Sequence, residues 1–185
     1  CLIDLAGHEN AELVKKAVYY LSKKQLQDDE LKRFLGLLSS KYEHVKIYAL
    51  IFANQSKTTE TTLGILDLLD DFWSEKVRSN AYAVLKDRDF SAIPFKLVKK
   101  FLSKKRSHLL AVKLIGKFES AEANKIVIEE LGDASTDDAN YYFTLLRKNK
   151  FFGDEFDALK SAFKTKDEFV KGLVVKLLVK VPDAQ

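Results

Sequence analysis

The chain reads as an all-α protein built from repeated helix pairs, and three observations predict it. The dipeptides Val14-Lys15, Val45-Lys46, Val77-Arg78 and Val170-Lys171 open stretches that read alike, separated by 31, 32 and 93 residues. Steps of 31 from Val77 fall on His108, Ala139 and Val170, so about six copies are implied, two of them without the dipeptide. Every copy carries apolar residues four and seven positions on, which places them on one helical face. A second apolar stretch precedes each copy in the same rhythm.

Taken in order, the four-on position holds Val18, Ala49, Ala81, Val112, Phe143 and Val174, and the seven-on position Leu21, Phe52, Val84, Ile115, Leu146 and Leu177. Each of these stretches is the second helix of its pair, and the small Ala49 and Ala81 let a neighbouring helix approach closely. First helices are expected near 31–38, 63–69, 93–102, 126–131 and 156–163, with Leu38, Leu69, Phe101, Leu131 and Phe163 recurring in phase. Pro94 falls in a first turn, where a missing N–H costs least. Ser39-Ser40, the segments 70–74 and 132–135, and 165–167 supply the turns. Asn10, Ser40, Ser74, Ser103, Ser135 and Asp167 stand just ahead of second helices, where a side-chain oxygen can accept from free N–H groups. The run 174–181 has some strand character but sits on a well-phased copy, so helix is assigned. Two helices and two turns in about 31 residues make an antiparallel hairpin, which buries both apolar faces only when hairpins stack.

Tetratricopeptide repeats would show a Trp, Leu-Gly and Tyr pattern, and ankyrin repeats Thr-Pro-Leu-His; neither is present. The Val-Lys/Arg dipeptide with a small residue four places on resembles HEAT repeats, most closely in Val77-Arg78-Ser79-Asn80-Ala81 with Leu85. The resemblance covers essentially the whole chain, although the unit is shorter than the usual HEAT length of roughly 40 residues. It implies a right-handed α-solenoid of about six hairpins, a single domain over 1–185, with second helices lining the concave side. Leu2 to Gly7 reads like the end of a first helix, so the first hairpin is expected to be truncated and the chain to be part of a longer one. Cys1 also allows a lipid-anchored alternative.

At 185 residues and 46% hydrophobic the chain can bury a sizeable core. No run of 18 apolar residues exists to span a bilayer. A lone cysteine excludes an intrachain disulfide framework and fits a reducing compartment such as the cytoplasm. The net charge of +4 is unevenly divided: second-helix segments carry +14, the remainder −10. Lys15, Lys46, Arg78 and Lys171 form one cationic row, Lys23, Lys86, Lys117 and Lys148 another, with Tyr19, Tyr82 and Tyr141 on or beside the same face. Such a surface suits phosphates or an acidic peptide. The competing reading is structural, because helix dipoles favour cations at C-termini and HEAT lysines pair between neighbouring turns.

Catalytic and metal chemistry find no support. His8, His44 and His108 are too scattered to share a metal, and structural or exposed roles are expected for them. Asp28-Asp29, Asp70-Asp71 and Asp137-Asp138 sit at helix ends, where carboxylates cap N–H groups or face water. Cys1 has no positioned base, the seven glycines form no phosphate loop, and Trp73 is expected to pack between repeats. No cofactor is expected. The function expected is non-enzymatic binding of an acidic protein or peptide, with Lys15, Lys46, Arg78, Lys86, Lys113, Lys117, Lys171, Tyr19 and Tyr82 as contact residues. Nucleic-acid binding of the kind seen in HEAT-like DNA glycosylases, a lyase-type enzyme, and a passive spacer in a larger protein are the alternatives.

Overall fold

Helices begin where the sequence supplies an acceptor for their free N–H groups. The computed structural model describes residues 2–24, 26 and 28–181, the Asp28 side chain excepted. Asn10 accepts from the backbone N–H groups of Glu12 and Leu13, at 3.0 and 3.2 Å. Ser74, Ser135 and Asp167 cap their helices in the same way, as do Thr58 and Ser120 ahead of first helices. Two expected caps do not form. Ser40 Oγ accepts instead from the N–H of Tyr42, the residue at the true helix boundary. Ser103 Oγ donates to the Lys100 carbonyl, and its helix starts later, after Ser107. The cationic run Lys104-Lys105-Arg106 thus lies in the turn ahead of the helix, where the positive end of the dipole does not hold it.

Among the described residues there are twelve α-helices, three 3-10 turns and no strand. They fall into two compact units, divided along the chain between Ile93 and Pro94. The first unit holds α1 (Leu2–Ala6), α2 (Ala11–Leu21), α3 (Asp28–Gly36), α4 (Glu43–Ala53), α5 (Thr59–Leu66) and α6 (Glu75–Leu85). The second holds α7 (Phe95–Lys99), α8 (His108–Ile115), α9 (Ala121–Gly132), α10 (Thr136–Lys148), α11 (Phe156–Ala162) and α12 (Glu168–Leu178). Helices α3, α5 and α7 each run into a 3-10 turn, at Leu37–Ser39, Asp67–Asp70 and Lys100–Ser103. Such tightening is common at helix C-termini, and here the turns hold the recurring Leu38, Leu69 and Phe101 in the core.

Within the first unit α1 packs on α2, the α3 turn on α4, and the α5 turn on α6, while α2, α4 and α6 pack on one another in succession. In the second, α8 packs on α7 and α9, α9 on α10 and α11, and α12 on α10 and α11. The dipeptide valines Val14, Val45, Val77 and Val170 are all fully buried, and Ala139 with them. The hydrophobic effect on such residues is worth roughly 1.5–3 kcal/mol for each large side chain withdrawn from water. Phe34 and Phe52 join α3 to α4 with ring centroids 4.3 Å apart.

In two copies one core position moves to its neighbour, while Val77 and Ala81 in the one and Ala139 and Leu146 in the other are buried as expected. Leu85 is buried where Val84 is half-buried, and Tyr142 where Phe143 is half-buried. Positions three, four, seven and eight on all lie on one helical face, and in α10 the three-on position brings a tyrosine into the core. Its hydroxyl has no hydrogen-bond partner among the described residues. Burial, helped by the nearby Asp138 and Glu130 carboxylates, pushes that phenol far above its ordinary range.

Candidate binding surface

The expected contact residues divide into those that face water and those that brace the fold. In the first unit Lys15, Lys16, Tyr19, Tyr20 and Lys23 of α2 and its end are exposed. The two tyrosine rings meet edge to face at 5.6 Å, and the Lys23 ammonium sits 4.1 Å from the Tyr19 ring centre. This is a cation–π arrangement on a solvent-facing helix. Lys86 is exposed at the end of α6 and Tyr82 is half-buried.

Lys46 and Arg78 behave differently. The Lys46 ammonium pairs with Asp71 in the α5–α6 turn, and the two side chains keep only 13% and 5% of their exposure. Asp71 Oδ1 also accepts from the N–H groups of Trp73 and Ser74, and Arg78 Nη1 donates to the Asp71 carbonyl at 2.6 Å. Burial opposes ionisation of Asp71, but Lys46 and the two N–H groups outweigh it and hold the carboxyl below its ordinary range. In the second unit Lys113 of α8 pairs with Asp138 of α10 at 2.9 Å and lies 5.3 Å from the Tyr141 ring centre. The Lys113 hydrogen bond holds the Asp138 carboxyl below its ordinary range, against the opposing effect of burial. Lys171 pairs within its own helix with Glu168, and Lys117 is half-buried.

Trp73 departs from expectation. It is 87% exposed and forms an edge-to-face pair with the exposed Phe72, centroids 4.7 Å apart. Leu69 and Val77 on either side fill the core, and the bonds to Asp71 fix the turn with both rings outward.

Other polar side chains close the ends of second helices. Arg88, which is buried, donates to the Ala53 carbonyl at 2.7 Å and to Thr62 Oγ1 at 2.9 Å. Asn149 donates to the Gly116 carbonyl at 3.1 Å, and Lys180 to the carbonyls of Arg147 and Asn149. In each case a residue after one second helix supplies the C-terminal carbonyls of the previous one, which lack intrahelical partners. Nothing in the sequence pattern marked Arg88 or Asn149 for this work.

The histidines have structural partners. His108 Nδ1 contacts the Leu102 carbonyl at 2.7 Å and Nε2 the Glu130 carboxylate at 2.8 Å. The carbonyl first, and Glu130 with it, raise the imidazole pKa above its ordinary value against the effect of burial. His44 Nε2 lies 3.2 Å from the His8 carbonyl. Among the described residues no three His, Cys, Asp or Glu side chains converge to hold a metal ion. Cys1 lies outside them. No helix among them is long and apolar enough to cross a membrane.

No protein-family model and no curated protein matches the chain. Among solved structures, the crystal structure of an engineered protein, a target of the Northeast Structural Genomics Consortium, matches with a TM-score of 0.51 at 16% identity. The match covers 97% of this chain and 94% of that one. At that identity the likeness is one of fold alone.

Proposed function

We propose that the chain is a non-enzymatic scaffold, a right-handed α-solenoid of HEAT-like hairpins whose second helices hold an acidic protein or peptide segment. The observation that carries this reading is the partition of charge, +14 on the second-helix segments together with their flanking turns against −10 elsewhere. The helix dipole acts on both helix sets alike and gives no reason for opposite signs. Exposed Lys15 and Lys23, with Tyr19 beside Lys23, are the anchors this reading favours. Lys46, Lys113 and Lys171 already have carboxylate partners and would contribute less. The single cysteine suits a cytoplasmic setting.

The test is anisotropy titration of fluorescein-labelled polyglutamate at low and physiological salt, against the wild type and a Lys15→Glu/Lys23→Glu variant. Two reversed surface charges at about 0.7 kcal/mol each should weaken binding about tenfold. Equal affinity in the variant would retire the basic surface. A labelled DNA duplex run in parallel separates the alternative, since tighter DNA binding that falls steeply with salt would move the assignment to nucleic acid.

A further inference from the structure

One turn of the repeat departs from all the others in chemistry. Five and four residues before the six repeat starts stand Glu9-Asn10, Ser40-Lys41, Phe72-Trp73, Ser103-Lys104, Ala134-Ser135 and Thr165-Lys166. All but one of these pairs are polar or small, so the hairpin fold does not call for aromatic rings at this place. Phe72 and Trp73 nevertheless stand there, 58% and 87% exposed, in an edge-to-face pair. Trp73 is the single tryptophan of the chain, and leaving it in water forgoes the burial that so large an apolar side chain normally provides.

The pair is also held in place. Asp71 Oδ1 accepts from the Trp73 and Ser74 N–H groups at 3.1 and 2.9 Å, Oδ2 takes the Lys46 ammonium of α4, and Arg78 of α6 donates to the Asp71 carbonyl at 2.6 Å. Two helices thus fix the backbone beneath the rings, and a partner meets a turn that is already ordered, which lowers the entropic cost of binding. Charge narrows the choice of partner. Over residues 67–76 the chain carries four carboxylates, Asp67, Asp70, Asp71 and Glu75, against one cation, Lys76. Asp71 is neutralised by Lys46, and Asp67 and Glu75 are exposed on either side of the rings along the chain. Carboxylates next to an indole repel phosphates and anionic lipid and favour a cation over the ring face.

We propose that Phe72 and Trp73 dock an arginine-bearing basic segment of a partner protein, with a guanidinium over the indole and its N–H groups toward Glu75. Arginine suits the place better than lysine, because its planar, weakly hydrated guanidinium stacks on an aromatic face and pairs with a carboxylate at the same time. Tryptophan is among the residues that dominate binding energy at protein interfaces. The partner's charge is opposite to that of the segment assigned to the lysines of α2, and neither assignment rests on the other.

Octa-arginine titrated into the full chain tests this, with Trp73 emission as the readout, because no other tryptophan contributes. Emission should change saturably below about 1 mM, a dissociation constant that marks weak binding. Anisotropy of fluorescein-labelled octa-arginine then compares variants whose helix content circular dichroism shows to be kept. Trp73→Ala should weaken binding about 3- to 30-fold, Trp73→Phe less than Trp73→Ala, and Glu75→Gln about two- to fivefold. Wild-type affinity in Trp73→Ala or in Glu75→Gln overturns the proposal, as does the absence of saturable binding. Emission that shifts to the blue with vesicles of anionic phospholipid, and not with octa-arginine, also overturns it and moves the pair to a membrane surface.

Discussion

Removing the Asp71 carboxylate separates a structural lysine row from a binding one. Asp71→Ala deletes an ion pair to Lys46 and two charge-assisted bonds from the Trp73 and Ser74 N–H groups, at 3.1 and 2.9 Å. Breaking a buried pair costs about 3–5 kcal/mol, and Lys46 retains a path to water, so about 2 kcal/mol is assigned to the lost pair. The two N–H groups rehydrate readily beside the exposed Trp73, adding about 0.5 kcal/mol each. The expected loss is about 3 kcal/mol, a large share of a stability of about 5–15 kcal/mol. Urea denaturation reads it as a lower midpoint at unchanged slope. Lys46→Met alone should cost about 1–2 kcal/mol, and the double variant should be less destabilised than the sum by about 1 kcal/mol or more. Because the folded carboxyl titrates below its ordinary value, its contribution is complete above about pH 3.9 and is lost as pH falls through the lower folded value. The gap between wild type and Asp71→Ala should therefore narrow in acid. A loss under about 1 kcal/mol at neutral pH, or additive single effects, would refute the bracing role and return Lys46 to the candidate contacts.

Three further outcomes are expected. His108 has a raised folded pKa, so its pairing stabilises fully below about pH 6.5 and is lost as pH rises through the folded value; an NMR titration of its ring proton with a midpoint at or below the ordinary value would contradict this. Gly153, at φ 96°, is the one described residue with positive φ, and Gly153→Ala should cost about 1–2 kcal/mol in thermal or urea unfolding. The lone Trp73 should fluoresce with a water-exposed maximum and be quenched freely by iodide, and Trp73→Ala should change stability by less than about 0.5 kcal/mol; a blue-shifted, protected emission would mean the ring is packed.

The helices were legible because burial follows period. Val14, Val45, Val77 and Val170 are all fully buried, and α3, α5, α9 and α11 overlap the apolar stretches that mark them, although the first three begin three to five residues earlier. What escaped involves partners far apart in sequence. Lys46 with Asp71 and Lys113 with Asp138 both span 25 residues, a spacing that could have been found by searching for an acid at constant distance from each base. Arg88 gave no such signal, because a charged side chain reads as surface until the Ala53 carbonyl and Thr62 hydroxyl are seen to receive it. Trp73 failed for the converse reason: size and hydrophobicity point inward, and only the hydrogen bonds of Asp71 turn it out. Of the expected contacts, the sequence placed Lys15 and Tyr19 correctly on an exposed face but could not tell a solvated lysine from one held by a carboxylate.

The donors that close the second helices have a bearing on biosynthesis. The final carbonyls of α4, α8 and α10 wait for Arg88, Asn149 and Lys180, each some thirty positions downstream. A nascent chain emerging at about 5–20 residues per second exposes each of these helix ends for about two to six seconds before its closing residue arrives. Maturation thus lags translation by one pair, and a ribosome stalled between pairs would hold out a half-finished helix as the natural target for a chaperone.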